Sequence, residues 1–240
     1  MLSLRNLQLL EKKSDISSLP EGKLLINTIN AYSYDMAQDN PLFAEALTKG
    51  DVLIPDGMSI VKACRWLNAQ SQPQERIAGW DLFVAEMERL NEKGGKCFFM
   101  GSSPQTLARI KEHAAKEYPR IEVETYSPPY KPVFSDEDNA AIITAVNQAN
   151  PDLLWIGMTA PKQEVWAYTH WDKLHIQCHT GTIGAVFDFF AKTVERAPKE
   201  WQDSGFEWLY RLLKEPKRMW RRYIIGNARF LWLIFMEKMN

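Results

Sequence analysis

The chain has little cysteine and little histidine: three of one and four of the other in 240 residues. Cys64, Cys97 and Cys178 stand far apart, with no CxxC pair and no zinc-ligand spacing. That excludes a disulfide framework and a structural zinc site. An odd number of thiols behind an N-terminus with no secretory leader fits a reducing, cytoplasmic setting. No run approaches the roughly 20 apolar residues that span a bilayer. Neither a GxGxxG loop nor a GxxxxGK[ST] loop is present, which removes the usual fingerprints of dinucleotide and P-loop binding. Internal repeats and low-complexity stretches are also missing.

What is present is ordinary for a globular chain: 45% apolar and 25% charged residues. The length suits one large α/β domain, or one domain plus an appendage. A net charge of −1 conceals an asymmetry. From Gly205 onward eight Lys/Arg face three acids, so this end carries +5 and the remainder −6. A basic, aromatic-rich end on an acidic body points to an anionic partner. Nucleic acid fits that pattern poorly, because the body would repel it.

The stretch Asp152–Trp166 organises the reading. Leu153 to Ile156 form an apolar run of a strand buried on both faces. It breaks at Gly157-Met158-Thr159-Ala160-Pro161, with Pro161 as first residue of a helix and Lys162, Gln163 and Glu164 in its first turn. The carboxyl end of a strand beside a helix start is where open α/β sheets bind ligands. Read without context, the same tetrapeptide is also simply a polar helix start.

Other strands end in the same way. Strands are expected at Lys23–Asn27, Val52–Ile54, Lys96–Met100, Ile121–Thr125 and Ile176–Thr180. Helical patterns fall between them, from Ala31 to Thr48 and from Met58 to Leu67, then from Asp81 as N-cap to Leu90. Two more run from Ser103-Pro104 to Tyr118 and from a Ser135/Asp138 capping box to Gln148. Thr28, Asn30 and Asp56 thereby share one crevice. Asp56-Gly57 reads either as a turn or cap, or as a carboxylate held ready as a general base. Arg76 is either a phosphate-binding fork or a solvated loop residue. Gly101-Ser102-Ser103 offers backbone N–H groups to a phosphate or sugar. This alternation predicts an α/β, Rossmann-like, mostly parallel sheet with helices on both faces over residues 1–198. A basic, aromatic helical appendage over 199–240 is expected to follow. In it Arg218, Arg221 and Arg222 cluster beside apolar residues at helical spacing, the composition of a helix that lies on a membrane surface or docks on protein.

Taken together, the motifs resemble one family. They are Thr28-x-Asn30, Pro55-Asp56-Gly57, Arg76-x-Ala-Gly-x-Asp81, Gly157-Met-x-x-Pro-Lys-Gln-Glu164, Gly184-x-x-x-Asp188, Arg196-Ala-Pro198 and Glu207-Trp-Leu-x-Arg211 through Arg218. In this order and spacing they resemble the WecG/TagA/CpsF glycosyltransferases, glycosyltransferase family 26. The resemblance implies transfer of an N-acetylmannosamine-type sugar from a UDP donor to a polyprenyl-diphosphate-linked N-acetylglucosamine. Such products go into teichoic acid, common antigen, capsule or exopolysaccharide, and a different UDP-hexose or uronic acid donor is the variant reading. It implies inversion at the anomeric carbon, with no metal and no cofactor. Asp56 is then the base with Thr28 beside it. Asn30, Arg76, Gly101, Gly157, Lys162, Gln163, Glu164, Asp188 and Arg196 are assigned to the substrates. Arg211, Arg218, Arg221 and Arg222 are assigned to the membrane or the acceptor diphosphate, on an appendage that closes over the site. The protein is then peripheral at the inner face of the cell membrane, with homo-oligomerisation open. A non-enzymatic alternative is a peripheral module that binds nucleotide sugar without turning it over. Two departures stand out: Thr159 where the family has Gly, and Ala191-Lys192 where it has Ala-Gly.

Overall fold

A computed structural model of the chain describes residues 2–198, 200–201 and 207–239, with the side chains of Arg211 and Arg218 outside that description. Six strands form one wholly parallel sheet: β1 (Leu24–Ile29), β2 (Val52–Pro55), β3 (Gly95–Gly101), β4 (Ile121–Tyr126), β5 (Leu153–Gly157) and β6 (His179–Thr182). Their order is β2-β1-β6-β5-β3-β4. Parallel neighbours need crossovers, and the helices supply them on both faces.

Strand alternation decides which helix meets which face. Cys97, Phe99, Leu153 and Trp155 point to one side. There they pack on α4 (Gly79–Lys93), α5 (Pro104–Glu117) and α8 (Gly184–Phe190). Phe98, Met100, Leu154 and Ile156 point to the other, against α6 (Asp136–Ala149) and α7 (Lys162–His170). A third cluster closes the β2 end. It joins Leu2, Leu4, Leu7 and Leu9 to α1 (Ala31–Asp39), α2 (Pro41–Lys49) and α3 (Met58–Leu67). Phe230, Leu233 and Ile234 from the last helix complete it.

Local chemistry sets most helix starts. The Ser103 hydroxyl accepts from Thr106 N–H at 3.2 Å, with Pro104 in the first turn. Ser135 and Asp138 form the expected reciprocal box. Several expectations shift. The single helix expected over 31–48 is two, because Asn40 caps a new start at Pro41. Asp81 is not the N-cap but the third helical residue: its Oδ2 accepts from Ala78 N–H at 2.7 Å. Pro161, after a cis peptide bond, stands at the N-cap and the helix begins at Lys162. The last strand lies three residues later than Ile176, since Ile176 and Cys178 are spent in the core and pairing with β1 starts at His179.

The C-terminal part consists of α9 (Glu207–Lys214), α10 (Pro216–Trp220), a π-helical turn (Arg221–Ile225) and α11 (Gly226–Met239). Glu237 on α11 ties down the other end of the chain. Its carboxylate accepts from Ser3 Oγ at 2.7 Å, Arg5 N–H at 2.8 Å and Tyr34 Oη at 2.6 Å. Burial opposes its charge, but these bonds hold its carboxyl below the usual range. Glu237→Ala leaves several donors unmet, and thermal unfolding should report a loss of about 2–4 kcal/mol.

Lys192 holds a left-handed φ of 54°. Glycine, which the resemblance leads one to expect here, is the residue with no steric penalty at such a φ. Lys192→Gly relieves roughly 1–2 kcal/mol of left-handed strain against an entropic cost of roughly 0.5–1 kcal/mol, so a denaturant titration should report a small net stabilisation. A loss of stability would mean that the lysine side chain contributes more than its backbone costs.

Candidate active site

All six strands end on one side, and their carboxyl ends open into a single cleft of about 1850 Å³. This is large for one small ligand, for which 300–1,000 Å³ is usual, and roomy enough for two. Its floor comes from Thr28, Asp56, Ser102, Ser127, Gly157 and Thr182, each at or just beyond a strand end. Gly101 and Gly157 are register partners on β3 and β5. A Cβ on Gly101, at a φ of 123°, would overlap the Gly157 carbonyl, and one on Gly157 would overlap the Phe187 ring of α8, so β3 meets β5 and β5 meets α8 here only because these residues lack side chains.

Asp56 follows β2 directly. Its N–H donates to Ile29 O at 2.8 Å, which locks the turn to the end of β1. Gly57, not Asp56, holds the N-cap of α3, so the carboxylate is not used as a cap. Instead Oδ1 lies 3.5 Å from Arg76 Nε. Arg76 reaches it because Ile77 N–H donates to Pro55 O at 3.0 Å, pinning the Arg76 segment alongside β2. Burial pushes the Asp56 carboxyl up, Arg76 and Arg222 pull it down, and Glu207 and Asp81 push it up again. The net is upward, while 31% of the side chain stays accessible from the cleft. A carboxylate of raised proton affinity, open to a cleft and beside a guanidinium, is equipped to take a proton.

Three guanidinium groups gather around it. Arg76 Nη2 donates to Glu207 Oε2 at 2.8 Å. Arg196 Nε stands 3.7 Å from the other Glu207 oxygen, with its fork over Trp80 at 5.2 Å. Arg222 lies over Tyr32 at 5.0 Å and Tyr223 at 5.5 Å. The Nε atoms of Arg196 and Arg222 are buried without a hydrogen-bond partner. Stacked, partly unspent guanidinium groups in a cleft suit a diphosphate.

The expected residues divide. Thr28, Asn30, Asp56, Arg76, Gly157, Lys162, Gln163, Glu164, Asp188, Arg196 and Arg222 all line the cleft. Gly101 does not, although its neighbours Ser102 and Ser103 do. Arg221 is exposed outside it, over Trp220 at 5.4 Å. The side chains of Arg211 and Arg218 lie outside the described part. Some lining residues have structural duties as well. Asn30 caps α1, accepting from Tyr32 and Ser33 N–H groups at 3.1 and 3.0 Å. Gln163 Oε1 accepts from Met158 and Gly184 N–H groups, both at 3.1 Å, tying the β5 loop to the start of α8. Its Nε2 donates to Glu164 Oε1 at 2.7 Å. Burial raises the Glu164 carboxyl to about 7. Lys162 Nζ sits over Phe134 at 3.4 Å and donates to Lys131 O, holding the proline-rich rim of the cleft.

Glu207 was not among the expected site residues, and its only sequence signal was its place at the head of the Glu-Trp-Leu motif. Asp136-Glu137-Asp138 has the Asp-x-Asp spacing of metal-dependent transferases. It opens α6, and Asp138 is committed to Lys131 Nζ at 2.7 Å and to the Ser135 N–H. Among the described residues no three His, Cys, Asp or Glu side chains gather as metal ligands.

A carboxylate at a strand end of a parallel α/β sheet, faced by arginines across the cleft, sets a proton acceptor beside anion-binding groups, as group transfer between phosphorylated substrates requires. Residues 4–240 match the glycosyl transferase WecG/TagA/CpsF family, and the chain belongs to it. It is an enzyme, a glycosyltransferase. It is similar to the N-acetylglucosaminyldiphosphoundecaprenol N-acetyl-beta-D-mannosaminyltransferase of Bacillus spizizenii, at 30% identity over 190 residues. The match covers 78% of this chain and 70% of that relative.

Proposed function

We propose that this protein transfers N-acetylmannosamine from a UDP donor to a polyprenyl-diphosphate-linked N-acetylglucosamine, with inversion and with Asp56 as base. The observation that carries this reading is the Asp56 carboxylate, open to a two-substrate cleft and 3.5 Å from Arg76. The acceptor hydroxyl oxygen bonds to the anomeric carbon from one side. The bond from that carbon to the UDP β-phosphate oxygen breaks, and UDP leaves with the electron pair. Asp56 takes the hydroxyl proton. Arg76, Arg196 and Arg222 answer the charge that grows on the departing diphosphate, so the reading assigns no metal.

The acceptor's lipid explains the outer face of the appendage. Leu231, Trp232, Phe235 and Met239 on α11 are more than half exposed, and Trp66 of α3 stacks on Phe235 at 6.5 Å. Elsewhere on the appendage Arg221 lies over the exposed Trp220 and Lys214 over Tyr210, and such apolar and basic groups together suit the surface of an anionic bilayer. Among the described residues no helix is long and apolar enough to cross a membrane. We therefore read 199–240 as the appendage that seats the enzyme at the inner face of the cell membrane.

The test is transfer from UDP-N-acetylmannosamine to a synthetic polyprenyl-diphosphate N-acetylglucosamine in detergent with EDTA, beside UDP-N-acetylglucosamine and UDP-glucose. Product from the first donor alone is expected. Product only from another donor moves the reading to a different UDP-hexose. No product and no UDP binding would overturn it.

A further inference from the structure

The appendage enters the site through one carboxylate, and that carboxylate competes for the partner of the base. Glu207 is the first residue of α9 and its side chain is only 14% accessible. It takes Arg76 at 2.8 Å, a full charge-assisted hydrogen bond. Asp56 meets the same guanidinium at 3.5 Å, beyond good hydrogen-bond length. Arg76 thus spends its Nη2 on the appendage and only brushes the body's carboxylate through Nε.

We propose that Glu207 is a positioning residue: by holding Arg76 it leaves Asp56 loosely paired and able to accept the acceptor's proton, and it makes that state depend on α9 being docked. The inference rests on Asp56 being the base.

The electrostatics have a definite sign. The charged groups that face Asp56 are Arg76, Arg222, Glu207 and Asp81. The first two favour its ionised form and the last two oppose it. Remove the charge of Glu207 and two things happen together. A repelling charge is lost, and Arg76 is released to form a forked pair with Asp56. Both changes make Asp56 a weaker base. Glu207 has a second partner in Arg196 at 3.7 Å, so the same carboxylate steadies two of the three guanidinium groups. Ring contact between Trp208 and Tyr223, 6.0 Å apart, packs the start of α9 against the turn that carries Arg222. Undocking of α9 would take away Glu207 and Arg222, whose charges act on Asp56 in opposite senses, so the quenching of the base comes from the freed Arg76 closing on Asp56.

The experiment measures Glu207→Gln, Glu207→Asp and Asp56→Asn in full-length protein. It reads kcat, KM, UDP affinity by titration, and the pH profile of kcat/KM. For Glu207→Gln, kcat should fall by about tenfold or more, on the scale of a partly disabled general base. Its acid limb should move to lower pH while UDP still binds. Glu207→Asp, shorter by one methylene, should shift the limb in the same direction by less. If Glu207→Gln fails to fold, the Asp variant decides alone: a limb at the wild-type pH overturns the inference. A loss confined to KM with an unmoved limb also overturns it, because Glu207 would then only anchor the appendage. Asp56→Asn separates the two levels. Full turnover in that variant removes the base itself. An inactive Asp56→Asn beside a wild-type Glu207→Gln removes this inference alone.

Discussion

Asp56→Asn should bind UDP and fail to transfer sugar, with turnover down by about 10²–10⁴-fold, the usual contribution of a positioned general base. The amide matches the carboxylate in shape, so the turn locked by Asp56 N–H to Ile29 O survives. Arg76 keeps its bond to Glu207, and the cleft keeps its guanidinium groups. Only the proton acceptor is lost. The raised proton affinity of Asp56 adds a pH signature. Below its pKa the group is protonated and idle, so the acid limb of kcat/KM should lie above the ordinary aspartate value near 3.9. In Asp56→Asn that limb should vanish from the residual activity. Isothermal titration with UDP and a pH series on both proteins decide it. Near-wild-type turnover would move the base elsewhere.

The second large effect lies at the opposite end of the sheet. His179 opens β6 and is almost completely buried, with Nδ1 3.0 Å from Glu86 Oε1 and Nε2 2.8 Å from Pro20 O. Both ring nitrogens face oxygen acceptors, so the imidazolium donates to both, while the neutral ring keeps one of these bonds and turns Nδ1 toward Arg89 Nη2 at 3.3 Å. Burial works against that charge, but the Glu86 carboxylate outweighs it and raises the His179 pKa. Glu86 is itself burdened by burial, and His179 and Arg89 nonetheless hold its carboxyl low. The sign follows for each partner. His179, raised on folding, contributes fully below its unfolded value near 6.5 and loses that contribution as pH rises through its folded value. Glu86, lowered on folding, contributes above its unfolded value near 4.3 and loses it as pH falls through its folded value. The pair thus supports the fold most in mildly acidic to neutral solution. His179→Leu strands Glu86 in the core with Arg89 alone and should cost about 3–5 kcal/mol. At roughly 2–4 °C per kcal/mol for a chain of this size, the melting temperature should drop by about 6–20 °C. Melting across pH 5–9 should also lose its fall on the alkaline side. UDP binding by the surviving folded protein should be unchanged, since the pair lies far from the strand ends that form the cleft. A shift of only 1–2 °C would mean that the His179–Glu86 pair contributes little to stability.

The sheet was legible where apolar runs mark strands, as at Leu153–Ile156, and helix starts were legible where caps mark them, as at Ser103 and Ser135. The crevice of Thr28, Asn30 and Asp56 followed from the same logic, because strand ends in a parallel sheet converge. β6 was misplaced for a physical reason. His179-Thr180-Gly181-Thr182 has almost no apolar content, and it is a strand because its backbone pairs with β1 on one side and β5 on the other. Thr182 Oγ1 donates to Asn27 Oδ1 at 2.8 Å. A Cβ on Gly181 would overlap the Trp155 ring. No periodicity announces such pairings. Glu207 was invisible as a site residue for a related reason. Its bond to Arg76 spans 131 positions and depends on where α9 packs. The duties of Gln163 show the limit from the other side. Its residue type and place matched a ligand contact, yet its carbonyl oxygen is already shared between two backbone N–H groups.

The middle of the sheet is finished last. β1 emerges early from the ribosome but pairs on one side with β6, which ends at Thr182. Leu2, Leu4, Leu7 and Leu9 wait longer still, for Phe230, Leu233 and Ile234 at the far end of the chain. Until release, a leucine-rich leading segment has no complete core to enter. Nascent chains with such exposed apolar surface are the ones that aggregate or engage chaperones. Removing α11 to improve solubility would therefore act against its purpose, since it would make that unfinished state permanent.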